Sequence, residues 1–71
     1  MPHTDYWIDK QAIYGPRGST GFRLDGVYIY GPRGYTQHWI SEGHIYGPDG
    51  YTGCWILDGH IYGPKTKLPW V

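Results

Sequence analysis

In the stretch WILDGHIYGP, residues 55–64, two strand-forming runs flank a two-residue turn, and this arrangement determines how the chain folds. An Asp-Gly pair between apolar β-formers is the strongest short signal for a hairpin, since a type I′ turn needs positive φ at both central residues. Pairing across that turn places Ile56 opposite Ile61. The neighbouring pair, Trp55 and Tyr62, then lies on the opposite face of the sheet. The stretch therefore predicts a hairpin with one aliphatic and one aromatic face.

The same unit occurs four times, at intervals of sixteen residues. Its Gly-Pro pair falls at Gly15-Pro16, Gly31-Pro32, Gly47-Pro48 and Gly63-Pro64. The copies are 7–22, 23–38, 39–54 and 55–70, in a single repeat domain of residues 1–71. A unit this short cannot bury a core alone, so the repeat itself must be the fold. The fourth copy ends atypically, which predicts a cap that keeps the repeats from offering an open edge.

No window shows a helical period, and Gly or Pro interrupts every stretch long enough for a helix. We expect an all-β antiparallel meander of about eight strands, each of about four to five residues, with Tyr6–Ile8 as the first. The Gly-Pro-x-Gly runs form the second turn of each copy, and we attribute their invariance to turn geometry. Lys10-Gln11 and Gly26-Val27 replace Asp-Gly in the first two copies, so those two hairpins should turn differently.

Alternation along the strands assigns the side chains of all copies to two faces. The predicted core face carries Ile8, Ile13, Leu24, Ile29, Ile40, Ile45, Ile56 and Ile61. The other face carries Trp7, Tyr14, Tyr30, Trp39, Tyr46, Trp55 and Tyr62, joined by Arg23, Tyr28, His44 and His60. A solvated face should be polar, so we expect this aromatic face to be covered. The sheet could close into a barrel, the copies could coil into a solenoid, or a partner could cover the face.

Composition excludes several classes of function. The chain has 71 residues and scattered charges that sum to zero, which argues against nucleic-acid binding. Its single cysteine rules out an internal disulfide, and its start shows no secretory signal pattern. The apolar runs are too short to span a membrane. We therefore expect a cytoplasmic protein that contacts neither nucleic acid nor membrane.

Few residues point to chemistry. His44 and His60 share one repeat position and are the weak candidates for a metal site; a solenoid would stack them about 4.8 Å apart, whereas a flat sheet would separate them by roughly 9–10 Å. Cys54 occupies a position filled by bulky groups in other copies, so a buried, inert thiol is expected. The acidic residues lie at or beside hairpin turns, where turn chemistry explains them. We expect no catalytic residues and no cofactor.

The run from Thr52 to Tyr62 resembles the aromatic-glycine hairpin repeats of bacterial surface modules, above all the choline-binding repeats of cell-wall proteins. In that family, aromatics of successive hairpins form cages for quaternary ammonium groups through cation–π attraction. The Ile-Tyr-Gly-Pro-x-Gly-x-Thr-Gly pattern is also similar to repeats in small bacterial proteins, which implies a bacterial or phage origin.

These observations predict a non-enzymatic repeat module that acts in protein association or self-assembly through its Trp and Tyr face. The alternative is binding of a carbohydrate or a quaternary ammonium ligand on the same aromatics. A His or Cys metal site is the third possibility.

Overall fold

The computed structural model describes residues 3–71 and confirms an all-β fold. The strands are β1 (His3–Asp9), β2 (Ala12–Gly15), β3 (Gly18–Asp25), β4 (Tyr28–Gly31), β5 (Gly34–Ser41), β6 (His44–Gly47), β7 (Gly50–Leu57) and β8 (His60–Tyr62). Each strand pairs antiparallel with the next, and β1 pairs with β8, so the eight-stranded meander closes into a barrel. Of the three arrangements that the sequence left open, the structure has the closed barrel.

The strands alternate in length. The odd-numbered strands have seven or eight residues and the even-numbered ones three or four, so the expected uniform length is wrong. The first strand begins at His3 rather than at Tyr6. The long strands pair with the short ones because the register shifts within each such pair. Strand propensity does not reveal this shift.

That register shift is a bulge held by threonine. Between β4 and β5 the partners change from Tyr30↔Tyr35 to Ile29↔His38, which leaves two extra residues on β5. The hydroxyl of Thr36 donates to the Ile29 carbonyl at 2.7 Å and accepts the His38 N–H at 3.2 Å. The side chain thus replaces backbone bonds that the bulge interrupts. Equivalent hydroxyl-to-carbonyl bonds are made by Thr4, Thr20 and Thr52.

The two-residue turns follow their sequences with one exception. Positive φ at both central residues marks the turn in the third and fourth hairpins, as Asp-Gly or its equivalent predicts. Lys10 and Gln11 also both have positive φ, so our expectation of a different first turn is wrong. Gly26 has φ +64° and Val27 is not in the positive region, the pattern of a type II′ turn, so the second hairpin does turn differently.

The aliphatic face lines the inside of the barrel, as predicted. Ile13, Ile29, Ile45 and Ile61 are fully buried, and the four other aliphatic residues of that face pack against them. An eight-stranded barrel has an interior just wide enough to be filled by side chains. Closure therefore buries the isoleucines and turns the aromatic face outward, so closure does not supply the cover that the aromatic face was expected to need.

Three of the four Gly-Pro glycines, Gly15, Gly31 and Gly47, make room for a ring on the neighbouring long strand, whereas Gly63 has φ +117° and lies against the backbone of Gly53. A Cβ added to Gly31 would lie 2.6 Å from the Phe22 ring, and one added to Gly47 would lie 2.7 Å from the His38 ring. Neither glycine has positive φ. The left-handed conformation belongs instead to the closing glycine of the turn, such as Gly34 with φ +108°. Turn geometry thus explains the closing glycines, whereas side-chain packing explains Gly31 and Gly47.

The atypical end of the fourth copy plugs one end of the barrel. Lys65–Lys67 form a 3₁₀ turn, after which Leu68 is buried in the core. The Trp70 ring lies 5.7 Å from the Tyr6 ring and 5.9 Å from the Phe22 ring, measured between centroids. Because barrel closure already pairs the first and last strands, this segment covers the core rather than an open sheet edge.

Candidate functional site

The outer surface of the barrel carries the predicted aromatic residues. We use the name aromatic belt for Trp7, Tyr14, Tyr30, Trp39, Tyr46, Trp55 and Tyr62. All seven side chains are partly buried, and they project from every strand except β3. The belt is the largest set of like side chains that the described strands place on the outer surface, and it is the candidate functional site.

Tryptophan and tyrosine stack in pairs across the hairpins. The ring centroids of Trp39 and Tyr46 lie 5.9 Å apart with planes 11° from parallel, and the pair Trp55 and Tyr62 has the same values. Trp7 and Tyr14 repeat the arrangement at 6.1 Å and 14°. Offset stacking of this kind adds about 0.5–1.5 kcal/mol to the burial of each pair. Each stack fixes its two rings relative to one another, and both rings remain partly exposed.

Arginine takes the tryptophan position in the second copy. The Arg23 Cζ lies 5.2 Å from the centroid of the Tyr30 ring, within cation–π range. Arg23 pairs with Tyr30 in the strand register just as Trp39 pairs with Tyr46. The belt thus contains one place where a cation already rests on an aromatic face.

Three further tyrosines extend the belt. Tyr28, Tyr35 and Tyr51 are 50%, 44% and 47% exposed, more than any member of the belt. The Tyr35 ring contacts the rings of both Tyr28 and Tyr30, and the Tyr51 ring contacts that of Tyr46. We call Tyr28, Tyr35 and Tyr51 the outer tyrosines. Alternation along β5 and β7 would have placed the last two on the aromatic face had those strands been predicted at their full length.

The belt is weakest on one quarter of the barrel. Ser19 pairs with Tyr14, whereas at the equivalent position of the next copy Tyr35 pairs with Tyr30. Likewise, Ala12 pairs with Arg23, whereas in the next copy Tyr28 pairs with Trp39. The outer surface between β2 and β3 is therefore polar and small, whereas the surface from β4 to β8 is aromatic.

The two candidate metal ligands lie apart on the same surface. His44 is on β6 and His60 on β8, and β7 runs between them. Nδ1 of His44 donates to the Glu42 carbonyl at 3.0 Å, and its ring packs edge-on against Tyr51. Within residues 3–71, no group of three or more His, Cys, Asp or Glu side chains is arranged to hold a metal ion.

Cys54 is fully buried, as predicted. Its thiol donates to the Pro64 carbonyl with a sulfur-to-oxygen distance of 3.2 Å. Burial raises the pKa of the thiol, and the hydrogen bond with Thr52 opposes part of that rise. A buried thiol with a raised pKa is a poor nucleophile, because the reactive thiolate is disfavoured.

Comparisons of this chain with protein-family models, with curated proteins and with solved structures found no match. Among residues 3–71 there is also no helix of the length and apolar character needed to cross a membrane. The case for a function therefore depends on the geometry of the barrel.

Proposed function

We propose that this protein is a non-enzymatic association module whose aromatic belt and outer tyrosines bind a second copy of the same chain. The observation that carries the proposal is the outward position of the belt. Because isoleucine side chains fill the barrel, the large aromatic side chains gain further burial only from a molecule outside.

The chemistry of this surface favours a protein. Tyr and Trp are enriched in protein interfaces, where they combine a large apolar area with one polar atom. Pairing of strand edges is a poor alternative, since both β1 and β8 already have neighbours on each side.

The charge of the surface favours a second copy over an oppositely charged partner. Strands β5 to β8 contain no Asp, Glu, Lys or Arg, and there the belt and the outer tyrosines are joined by His44 and His60. The charged side chains of this part, Glu42, Asp49 and Asp58, lie in the turns, and Arg23 lies on the Tyr30 ring of β4. Such a surface neither attracts a charged partner nor repels an identical copy. Its phenol, indole and imidazole groups include both donors and acceptors, so it can complement itself across a two-fold axis.

The available area is sufficient for a stable dimer. A standard interface buries about 800 Å² on each partner. The accessible surface of the chain is 4619 Å². An interface of standard size thus needs only about a sixth of that surface, and the aromatic part extends across five neighbouring strands.

Sedimentation equilibrium of matched lysine variants tests this proposal. Ser19, Tyr35 and Tyr51 occupy one repeat position and all three are exposed. We expect Tyr51→Lys to weaken dimerisation at least tenfold, because it places a charge within the interface, while Ser19→Lys on the polar quarter leaves dimerisation unchanged. A wild-type chain that stays monomeric at millimolar concentration, or equal effects of the two variants, would refute the proposal.

A second candidate function is binding of a small quaternary ammonium ligand on the same aromatics. The Arg23 guanidinium supports it, since its position on Tyr30 marks an outer ring face that is suited to a cation. The test is tryptophan fluorescence during titration with choline, using glucose as the uncharged comparison. Quenching that saturates with choline alone supports this function, and an unchanged spectrum removes it.

A further inference from the structure

The seam where β1 meets β8 brings together two imidazole rings from opposite ends of the chain. Nε2 of His3 lies 3.2 Å from Nδ1 of His60, and the ring centroids are 5.2 Å apart. The His3 side chain is 30% exposed, and His60 is exposed. Both rings border an open groove of about 400 Å³ that Trp7 and Pro16 also line. A small solute can therefore reach both rings.

The barrel does not require this pair. His3 faces Tyr62 in the register, as Tyr35 faces Tyr30 and Tyr51 faces Tyr46. The corresponding neighbour of His44 is thus a tyrosine, with ring centroids 5.5 Å apart. Two adjacent imidazoles occur at the seam and at none of the equivalent places on the described strands.

We infer that His3 and His60 form a two-imidazole binding site for a divalent transition-metal ion, with Zn²⁺ and Ni²⁺ as the metals to test. With metal–nitrogen bonds of about 2.0–2.1 Å, the separation of 3.2 Å corresponds to a nitrogen–metal–nitrogen angle of about 100–106°. That angle is close to the tetrahedral value that Zn²⁺ prefers. Imidazole also suits Ni²⁺, and water molecules complete the coordination.

The hydrogen bonds around His3 define what metal binding must change. The Asp5 N–H donates to His3 Nδ1 at 2.8 Å, so the proton of the neutral ring is on Nε2 and points to His60 Nδ1. When the metal binds Nε2, that proton is lost to solvent and Nδ1 takes up a proton instead, so the hydrogen bond from the Asp5 N–H to Nδ1 is broken and this N–H must bond to water. The Asp5 Oδ1, 3.7 Å from Nδ1, then becomes its acceptor. A carboxylate behind a metal-bound histidine is the usual arrangement in proteins.

Metal binding at this seam should stabilise the folded barrel. The two histidines are 57 residues apart in sequence and are adjacent only when the barrel is closed. An ion that binds both rings therefore binds the folded state more tightly than the unfolded chain.

The test is thermal unfolding and calorimetric titration of the tag-free protein with Zn²⁺ and with Ni²⁺. At a free metal concentration near ten times the Kd, we expect Tm to rise by roughly 5–10 °C and to return on addition of EDTA. His60→Ala should lose this shift, and so should His3→Ser, which introduces the residue found at the equivalent Ser19. His44→Ala is the matched control, because it removes an exposed imidazole at the same repeat position. Measured against its own metal-free Tm, at a protein concentration where the variants are monomeric, it should keep the shift.

A gain of binding provides the reverse test. Tyr51→His places a second imidazole beside His44, and this variant should bind two ions per chain where the wild type binds one. The inference is overturned if 1 mM metal leaves the wild-type Tm unchanged, if His60→Ala keeps the shift, or if His44→Ala loses it. A single ion bound by Tyr51→His would also overturn it, because adjacency of two rings would then be insufficient.

Discussion

Substitution of Gly31 by alanine tests whether the Gly-Pro glycine is required by packing or by its turn. The new Cβ would lie 2.6 Å from Phe22 Cε2 and 2.9 Å from Cδ2, closer than carbon atoms can approach. Phe22 packs against Trp70, so the ring cannot move away freely. Overpacking of this kind costs about 1–3 kcal/mol. That is a large part of the roughly 4–10 kcal/mol expected for the unfolding of a chain this size.

Gly34→Ala in the same turn provides the comparison. An added Cβ meets no atom within 4 Å there, but φ is +108°. Its cost, about 1–2 kcal/mol, therefore comes from backbone strain alone. The two variants can have similar stabilities, so a single substitution does not separate the two causes.

Urea unfolding of a double-mutant cycle separates them. Phe22→Val shortens the side chain and makes room for the methyl group of Gly31→Ala. We expect the double variant to be at least about 1 kcal/mol more stable than the sum of the single effects. Combined with Gly34→Ala, the same Phe22 substitution should be additive within about 0.5 kcal/mol. Additivity in both cycles would refute the packing explanation for Gly31.

Three further predictions concern the inside of the barrel. Thr52→Val should cost about 1–3 kcal/mol in urea unfolding, because it leaves the Ile45 carbonyl and the Cys54 N–H without the hydroxyl that bonds both. Because burial raises the pKa of Cys54, the folded state favours the neutral thiol; this stabilisation is complete below the unfolded pKa of about 8.5 and is lost as pH rises from there through the folded pKa. The urea midpoint should therefore fall further between pH 7 and pH 9.5 in the wild type than it does in Cys54→Ala. Trp70→Phe should change stability by less than about 1 kcal/mol in thermal unfolding while Trp70→Ala costs more, because the buried Nε1 has no hydrogen-bond partner among residues 3–71.

Local pairing in this fold could be predicted because a two-residue turn determines which residues face each other. The pairs Ile56–Ile61 and Trp55–Tyr62 were predicted from the Asp-Gly turn alone, and the structure confirms both. The extension of the long strands could not be predicted in this way. Gly53 interrupts the strand pattern of β7, yet it adopts φ +85° within a bulge that the Thr52 hydroxyl holds.

Closure of the sheet could not be predicted from alternation, because one aliphatic and one aromatic face are compatible with a barrel, a solenoid or a sheet covered by a partner. The volume of the side chains explains the outcome. The interior of an eight-stranded barrel accommodates side chains the size of isoleucine, while stacked pairs such as Trp39 and Tyr46 need the larger outer circumference. The His3–His60 pair was missed for the same reason, since it exists only because β1 and β8 meet.

Differences between the copies indicate which parts of the surface the barrel does not need. The innermost position is isoleucine in all four copies, as close packing inside the barrel demands. The outward-facing position near the start of each long strand is His3, Ser19, Tyr35 or Tyr51, although the backbone pairing at the last three is the same. A position that accepts serine in one quarter of a repeating barrel does not need tyrosine for the barrel to form. Replacing Tyr51 by serine should therefore leave the barrel folded at a cost of about 1–2 kcal/mol, from the lost ring contacts with Tyr46 and His44. A loss of association by the folded variant would then reflect contacts with the partner.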